Sequence, residues 1–334
     1  MRVASYTGHG ERHPLRIGVF DDWEGAAGRS PTLQRLRAHG EIVIYSDRPS
    51  RRQRMERLAD LDVLILWRER TVLGREDIAA ATHLRLIAQT GYGWEHIDTE
   101  AMVEAGIAFA ATKLAAKLDT AEFTLAMLFS LAYQIPVADR RLRDEGWPAL
   151  TWKGLSNRRV SILGYGAVAQ PLASMTRAVG ADVVVWSRSL TPGQKLAPGV
   201  RAVTLDEALT TADYLVTLLR LNDATRGFLS RERLGKLSSG AMLVNTGRAG
   251  LVDQDALMDA LREGRLGGAA LDVFEEEPLP MSHPLRQLGN VVLTPHVAWT
   301  STTLLESLFT AAAEQVIDFA GGKPSGLITF PVEP

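Results

Sequence analysis

An α/β fold in two domains, each built on a parallel sheet, is the prediction of three features of this sequence. Short apolar runs rich in β-branched residues alternate with helix-length segments through most of the chain, a pattern that parallel sheets produce. The chain has 334 residues, more than one ordinary α/β core needs. A glycine-rich turn at 164–169 opens a second series of alternating elements halfway along.

The first series begins with "LRIGVF" (15–20), read as a strand. "SPTLQRLRAHG" (30–40) reads as a helix with Ser30 as N-cap, Pro31 at the first helical position and Gly40 as its stop. "EIVIYS" (41–46), "VLILW" (63–67) and "LRLIAQT" (84–90) are further strands, and the series closes near residue 112. "DTAEFTLAMLFSLAYQIPVADRRLRDE" (119–145) predicts one long helix, apolar nearly all round in its first part. Such a helix must be buried, between domains or between subunits. The second series predicts six strands: "RVSILGYG", "DVVVWS", "YLVTLL", "AMLVNTG", "GAALDVF" and "VVLTPHV". A last helix, about 301–321, is expected to return to the first domain.

Composition narrows the function classes. Hydrophobic residues make up 46% and charged residues 23%, the profile of a soluble globular protein. A net charge of −2 gives no reason to expect a nucleic acid or an anionic membrane as partner. The absence of cysteine excludes disulfides, thiolate metal sites and a cysteine nucleophile, and no metal is expected. "MRVASYTGHGERHP" lacks the apolar core of a signal peptide. The longest uncharged run, 123–138, is shorter than a membrane span and contains Pro136. A cytoplasmic protein is the expectation.

The strongest motif is Gly164-Tyr165-Gly166-Ala167-Val168-Ala169, between a strand and a helix. This is G-x-G-x-x-A, a form of the Rossmann dinucleotide-binding fingerprint. Gly164 permits the tight turn, Gly166 lets backbone approach a pyrophosphate, and Ala169 is small enough for close helix–strand packing. The amides of Ala167 and Val168 would face phosphate at the helix N-terminus. An acid that binds the ribose 2′-hydroxyl is expected about 20 residues on. Ser187 holds that place, 23 residues past Gly164, and Arg188 follows. A carboxylate would repel a 2′-phosphate, whereas a hydroxyl and a guanidinium suit one. The predicted cofactor is NADP(H), with NAD(H) as the alternative.

With "TGYGWEHIDTEAMVEAGIAFAAT" (90–112), "LRLNDATRGFLS" (219–230), "VNTGRAGLVDQDAL" (244–257), "GAALDVFEEEPLP" (268–280) and "LTPHVAW" (293–299), the chain resembles the D-isomer-specific 2-hydroxyacid dehydrogenases over nearly its whole length. "WSRS" is similar to the glyoxylate/hydroxypyruvate reductases among them. The resemblance implies a flavodoxin-like substrate domain (1–112 with 298–334) and a Rossmann-type domain (113–297), closing on cofactor and substrate. It places an arginine, a glutamate and a histidine on Arg248, Glu277 and His296. His296 would protonate the carbonyl oxygen of a small 2-oxoacid as hydride arrives at carbon. Glu277 would orient the imidazole and favour its protonated form, and Arg248 would bind the substrate carboxylate and polarise its carbonyl.

By the same resemblance Asp272 would hydrogen-bond the nicotinamide carboxamide, with Thr246 and Gly247 nearby. Tyr92 and Gly93 would hold the substrate carboxylate through backbone amides. Arg68 is the candidate substrate-binding arginine, with Arg70 as its neighbour. A homodimer through the 119–150 region is implied. Histidines 9, 13, 39, 83, 96 and 283, with Glu275 and Glu276, are read as structural or solvated. Phe123 stands where the family often has histidine, and "LLRL" (218–221) lacks a frequent His and Pro. Alternative functions are a phosphoglycerate- or phosphite-type dehydrogenase, or an NAD(P)-sensing, corepressor-like binding protein. Glu277 argues against a formate dehydrogenase, where glutamine partners the histidine.

Overall fold

The computed structural model describes residues 14–114 and 116–330. It divides into two compact units, one up to residue 115 and again from 301, the other 116–300. His9, His13 and the polar leader up to residue 13 lie outside the described residues.

The first unit holds β1 (Leu15–Phe20), β2 (Gly40–Ile44), β3 (Val63–Leu66), β4 (Leu86–Gln89) and β5 (Ala108–Ala111). Their order is β2-β1-β3-β4-β5, and every pairing is parallel. This is the flavodoxin-like order. β3 and β4 are wholly buried, as strands covered by helices on both faces must be. β5 escaped the sequence reading because "AFAA" is short and rich in alanine, a weak strand former.

The expected helix over 30–40 is instead two short ones, Ala26–Arg29 and Thr32–Arg37. Ser30 accepts from the Thr32 N–H at 3.2 Å. Gly40 is no helix stop: it opens β2, where a Cβ would stand 2.0 Å from the Leu15 carbonyl oxygen. The close approach of β1 and β2 requires glycine there.

The last helix, Thr302–Ala320, is capped by Ser301 and belongs to this unit. It is bound to the Thr32–Arg37 helix by the Arg35–Glu314 ion pair and the Thr32–Thr310 hydroxyl contact at 3.0 Å. Gln315 donates to the Ala111 carbonyl at 3.1 Å, fixing the helix against β5.

The second unit holds β6 (Arg159–Leu163), β7 (Asp182–Trp186), β8 (Lys195–Ala197), β9 (Val200–Ala202), β10 (Tyr214–Thr217), β11 (Ala241–Asn245), β12 (Leu266–Leu271) and β13 (Val291–Leu293). Their order is β13-β12-β11-β10-β6-β7-β9-β8. The six expected strands are present, and β9 supplies the missing third strand of a Rossmann half. One expectation needs correction: this sheet is not wholly parallel, because β8 runs antiparallel to β9 at the edge. Each is three residues long, too short for an alternating pattern to register, and Pro198-Gly199 turns the chain between them.

The single helix expected over 119–145 is also corrected. Two helices, Lys117–Ala132 and Ile135–Glu145, meet at a bend of 49°. Pro136 has no N–H to continue the first helix, and Gln134 turns the chain in a left-handed conformation, φ 53°. The first helix buries Ala121, Thr124, Met127, Leu128, Leu131 and Ala132, one face at helical spacing, while the second buries none. Among the described residues no single helix is long and apolar enough to cross a membrane.

Candidate active site

Ligands of open α/β sheets bind beyond the carboxyl ends of the strands, and the candidates of the second unit gather there. β6 ends at Leu163 and the fingerprint follows. Gly164 has φ +98°, and a Cβ on it would stand 2.8 Å from the Leu218 carbonyl oxygen. Over Gly166 a Cβ would meet no atom within 4 Å, so its surface is open to a ligand. Ala169 is fully buried at the start of the Ala169–Ala178 helix, which brings helix and strand close. Ala167 and Val168 precede that helix, whose first N–H groups have no partner inside it. These residues fit a dinucleotide pyrophosphate. Ser187 and Arg188 follow β7; the Ser187 hydroxyl lies 3.5 Å from that of Ser189, and Arg188 is exposed.

His296 and Glu277 come together. His296 Nδ1 lies 2.7 Å from Glu277 Oε2, and the other oxygen, Oε1, accepts from the Phe274 N–H at 2.9 Å. A carboxylate only accepts, so Nδ1 carries the proton and Nε2 is left to exchange one. Burial pushes the Glu277 carboxyl up, but the hydrogen bond and charge of His296, the Phe274 N–H and the Arg248 charge together hold it below its ordinary value. Arg248 therefore acts electrostatically on the same carboxylate. Its Nη1 donates to the Gly247 carbonyl at 2.9 Å, and the side chain is exposed.

The turn that carries His296 is held from below. His296 has φ +56°, a left-handed conformation unusual outside glycine. Asp272, fully buried at the end of β12, accepts from the Thr294 hydroxyl at 2.6 Å and from the Val297 and Ala298 N–H groups at 2.9 Å each. Burial raises the Asp272 carboxyl above its usual range against the opposing pull of these donors and of His296. The nicotinamide contact expected of Asp272 thus falls on a carboxylate already committed to the turn beneath His296.

Asn245 was missed by sequence reasoning. Its carboxamide accepts from the Gly247 N–H and donates to the Arg248 carbonyl, both at 3.0 Å, so it fixes the backbone that presents Arg248. The only available signal was a polar residue ending an apolar strand. Thr246 is buried, with its hydroxyl 2.7 Å from that of Thr124. Glu275 and Glu276 are exposed. His283 accepts from the Leu285 N–H at 3.2 Å as a helix cap, in keeping with a structural role.

Arg68, Tyr92 and Gly93 lie in the first unit. Arg68 follows β3 with φ 51°, and its Nε is 3.3 Å from Glu69 Oε2. Arg70 is held by Glu24 through two bonds of 2.7 and 2.6 Å and by the Asp21 carbonyl. Tyr92 is exposed and meets Trp94 edge-on. Gly93 is crowded: a Cβ would stand 2.9 Å from Glu69 Oε1 and 3.2 Å from Glu95 Oε2. Its carbonyl accepts from the buried Gln89 carboxamide. His96, partly buried beside this loop, is held below its usual value by burial, against the pull of Glu69 and Glu95.

Comparison with known proteins shows the family of the chain. Residues 125–298 match the family model described as D-isomer specific 2-hydroxyacid dehydrogenase, NAD binding domain. The chain is 31% identical to a glyoxylate reductase of Korarchaeum cryptofilum, over 89% of this chain and 92% of that one. It is 32% identical to the D-3-phosphoglycerate dehydrogenase of Mycobacterium tuberculosis, over 82% of this chain but only 52% of that protein, about half its length. A crystal structure of phosphoglycerate oxidoreductase from Vibrio cholerae superposes with a TM-score of 0.85 at 30% identity, covering 92% of this chain and 99% of that one.

Proposed function

Because the chain belongs to the D-isomer specific 2-hydroxyacid dehydrogenases, we propose that it interconverts a small 2-oxoacid and its 2-hydroxyacid, of the glyoxylate or hydroxypyruvate class. The observation that carries this reading is the 2.7 Å pair between His296 Nδ1 and Glu277 Oε2. A bound nicotinamide dinucleotide supplies the hydride for reduction and accepts it for oxidation. His296 gives a proton from Nε2 to the substrate oxygen in reduction and takes it back in oxidation. Glu277 keeps Nδ1 protonated and the ring oriented. Arg248 binds the substrate carboxylate and draws charge onto the carbonyl oxygen. Asp272 and Asn245 are positioning residues, one for the turn of His296 and the other for the backbone of Arg248. Tyr92 and Gly93 offer backbone N–H groups to a carboxylate, and Arg68 a guanidinium.

The fingerprint residues Gly164, Gly166, Ala167 and Val168 would hold the cofactor pyrophosphate, with Thr246 and Gly247 toward the nicotinamide. Ser187 and Arg188 favour NADP(H), since neither repels a ribose 2′-phosphate. The chain works as a homodimer. The support is an apolar surface on the second unit, where Ile135, Leu142, Trp147 and Trp152 are all more than half exposed.

The test is a screen of 2-oxoacids, 3-phosphohydroxypyruvate included, with NADPH and with NADH, following loss of reduced-nicotinamide absorbance. Glyoxylate and hydroxypyruvate are expected to lead. A dominant phosphorylated substrate would move the assignment to the phosphoglycerate dehydrogenases, as the resemblance to the mycobacterial enzyme would allow. No turnover of any acid, with cofactor still bound, would favour a nucleotide-sensing binding protein.

A further inference from the structure

The segment leaving β10 carries a cation that the proposed chemistry does not use. β10, β6 and β7 are neighbours, with Thr217 aligned to Leu163 and Leu163 to Trp186. Their exits are tied together. The Gly164 N–H donates to the Trp186 carbonyl at 2.7 Å, and the Leu218 N–H to the Leu163 carbonyl at 2.9 Å. Ser187-Arg188 and Leu219-Arg220 therefore leave the sheet on either side of the glycine turn. Adjacent strands are about 4.8 Å apart, so the two exits stand on the order of 10 Å apart. Between them lies the open surface of Gly166.

Arg188 and Arg220 are both exposed. Among the described residues neither guanidinium has a carboxylate partner, whereas Arg159, Arg201 and Arg231 of the same unit are each held by one. The backbone at Arg220 is nonetheless fixed. Its carbonyl accepts from the Thr225 hydroxyl at 2.6 Å, the Asn222 N–H donates to Thr225 Oγ1 at 2.8 Å, and Asn222 Oδ1 accepts from the Ala224 N–H at 3.0 Å. The one carboxylate of this turn, Asp223, is exposed and makes no ion pair among the described residues. An ordered turn thus presents an uncommitted cation beside the fingerprint.

We infer that Arg220 is a second specificity-determining residue, which with Arg188 holds the ribose 2′-phosphate of NADP(H) from the opposite side of the glycine turn. The inference rests on the NADP(H) reading above. A phosphate monoester carries close to two negative charges and three acceptor oxygens, more than one guanidinium fork satisfies. Both arginines are solvated, so their contribution is modest and falls with added salt.

Two fragments isolate the 2′-phosphate from hydride chemistry. 2′,5′-ADP carries it, and 5′-AMP does not. Calorimetric titration of the whole chain with each fragment is expected to give tighter binding of 2′,5′-ADP. Arg220→Ala should weaken 2′,5′-ADP roughly ten-fold, the worth of one charge-assisted hydrogen bond, and leave 5′-AMP nearly unchanged. Arg220→Lys should recover part of the loss, and Arg188→Ala should resemble Arg220→Ala. Equal losses for both fragments, or no loss for either, would overturn the role of Arg220. If Arg188→Ala removes the preference and Arg220→Ala keeps it, this inference alone fails. A wild-type protein with no preference for 2′,5′-ADP overturns the NADP(H) reading and this inference together.

Discussion

Two side chains, His296 and Glu277, decide whether the proposed chemistry runs. His296→Ala is expected to lower turnover by about 10²- to 10⁴-fold, the usual contribution of a general acid–base group, while NADPH affinity stays close to wild type. Unchanged turnover in a steady-state assay would remove His296 from the mechanism. Glu277 also leaves a mark on stability. Its carboxyl is held below its ordinary value in the fold, so folding favours the ionised form. That contribution is fully present above the unfolded value of about 4.3 and is lost as pH falls through the lower folded value. Urea midpoints of Glu277→Gln and wild type should therefore differ most near neutrality and converge below about pH 4. A gap that stays constant with pH would show that the carboxylate is not stabilised by its neighbours. At this scale the sequence was informative about residue types, since an imidazole, a carboxylate and a guanidinium each follow a strand. The supports of those residues were hidden. Nothing local marks Asp272 as the acceptor of three bonds from a turn more than twenty residues on, because burial and long-range hydrogen bonding are set by tertiary contact.

Among the elements, those with strong local patterns were legible and those decided by their neighbours were not. The strands "VLILW" and "DVVVWS" are runs that a buried sheet demands, and both formed. β5, β8 and β9 are three or four residues long, and only pairing makes them strands. The long helix over 119–145 was overextended because hydrophobic periodicity continues through Pro136 while the hydrogen-bond ladder does not. The cap at Ser301 was not read, yet it is worth testing. Its hydroxyl accepts from the Leu304 N–H at 3.1 Å, so Ser301→Ala should cost about 1 kcal/mol, read as a lower thermal midpoint. No change would mean that packing alone fixes the start of that helix.

For the whole molecule, two units built on mainly parallel sheets follow from length and alternation, and the chain's return to its first unit follows from the last helix. Assembly is less legible, because an apolar stretch looks the same whether a core or a partner covers it. The structure shows which apolar side chains the unit itself leaves uncovered. The helix Lys117–Ala132 buries its apolar face within the unit, whereas no residue of Ile135–Glu145 is fully buried and Ile135 and Leu142 stay about half exposed, followed by Trp147 at 92% exposure. Leu142→Glu should shift sedimentation from dimer to monomer, since a carboxylate is costly to bury in an apolar interface. A wild-type protein that sediments as a monomer at micromolar concentration would end the dimer proposal.

The left-handed backbone at His296 has a consequence for the history of such a chain. Glycine adopts that conformation without cost, whereas a residue with a Cβ is penalised by about 1–2 kcal/mol. His296→Gly and His296→Ala both remove the imidazole, so their difference in unfolding free energy isolates that penalty. Glycine should be the more stable by about 1 kcal/mol, and equal stabilities would show that the turn relaxes. If the difference holds, chemistry and folding make opposing demands on one residue. A descendant released from selection for turnover would then drift toward glycine at this position and keep its fold, leaving a sound scaffold without the proton donor proposed for it.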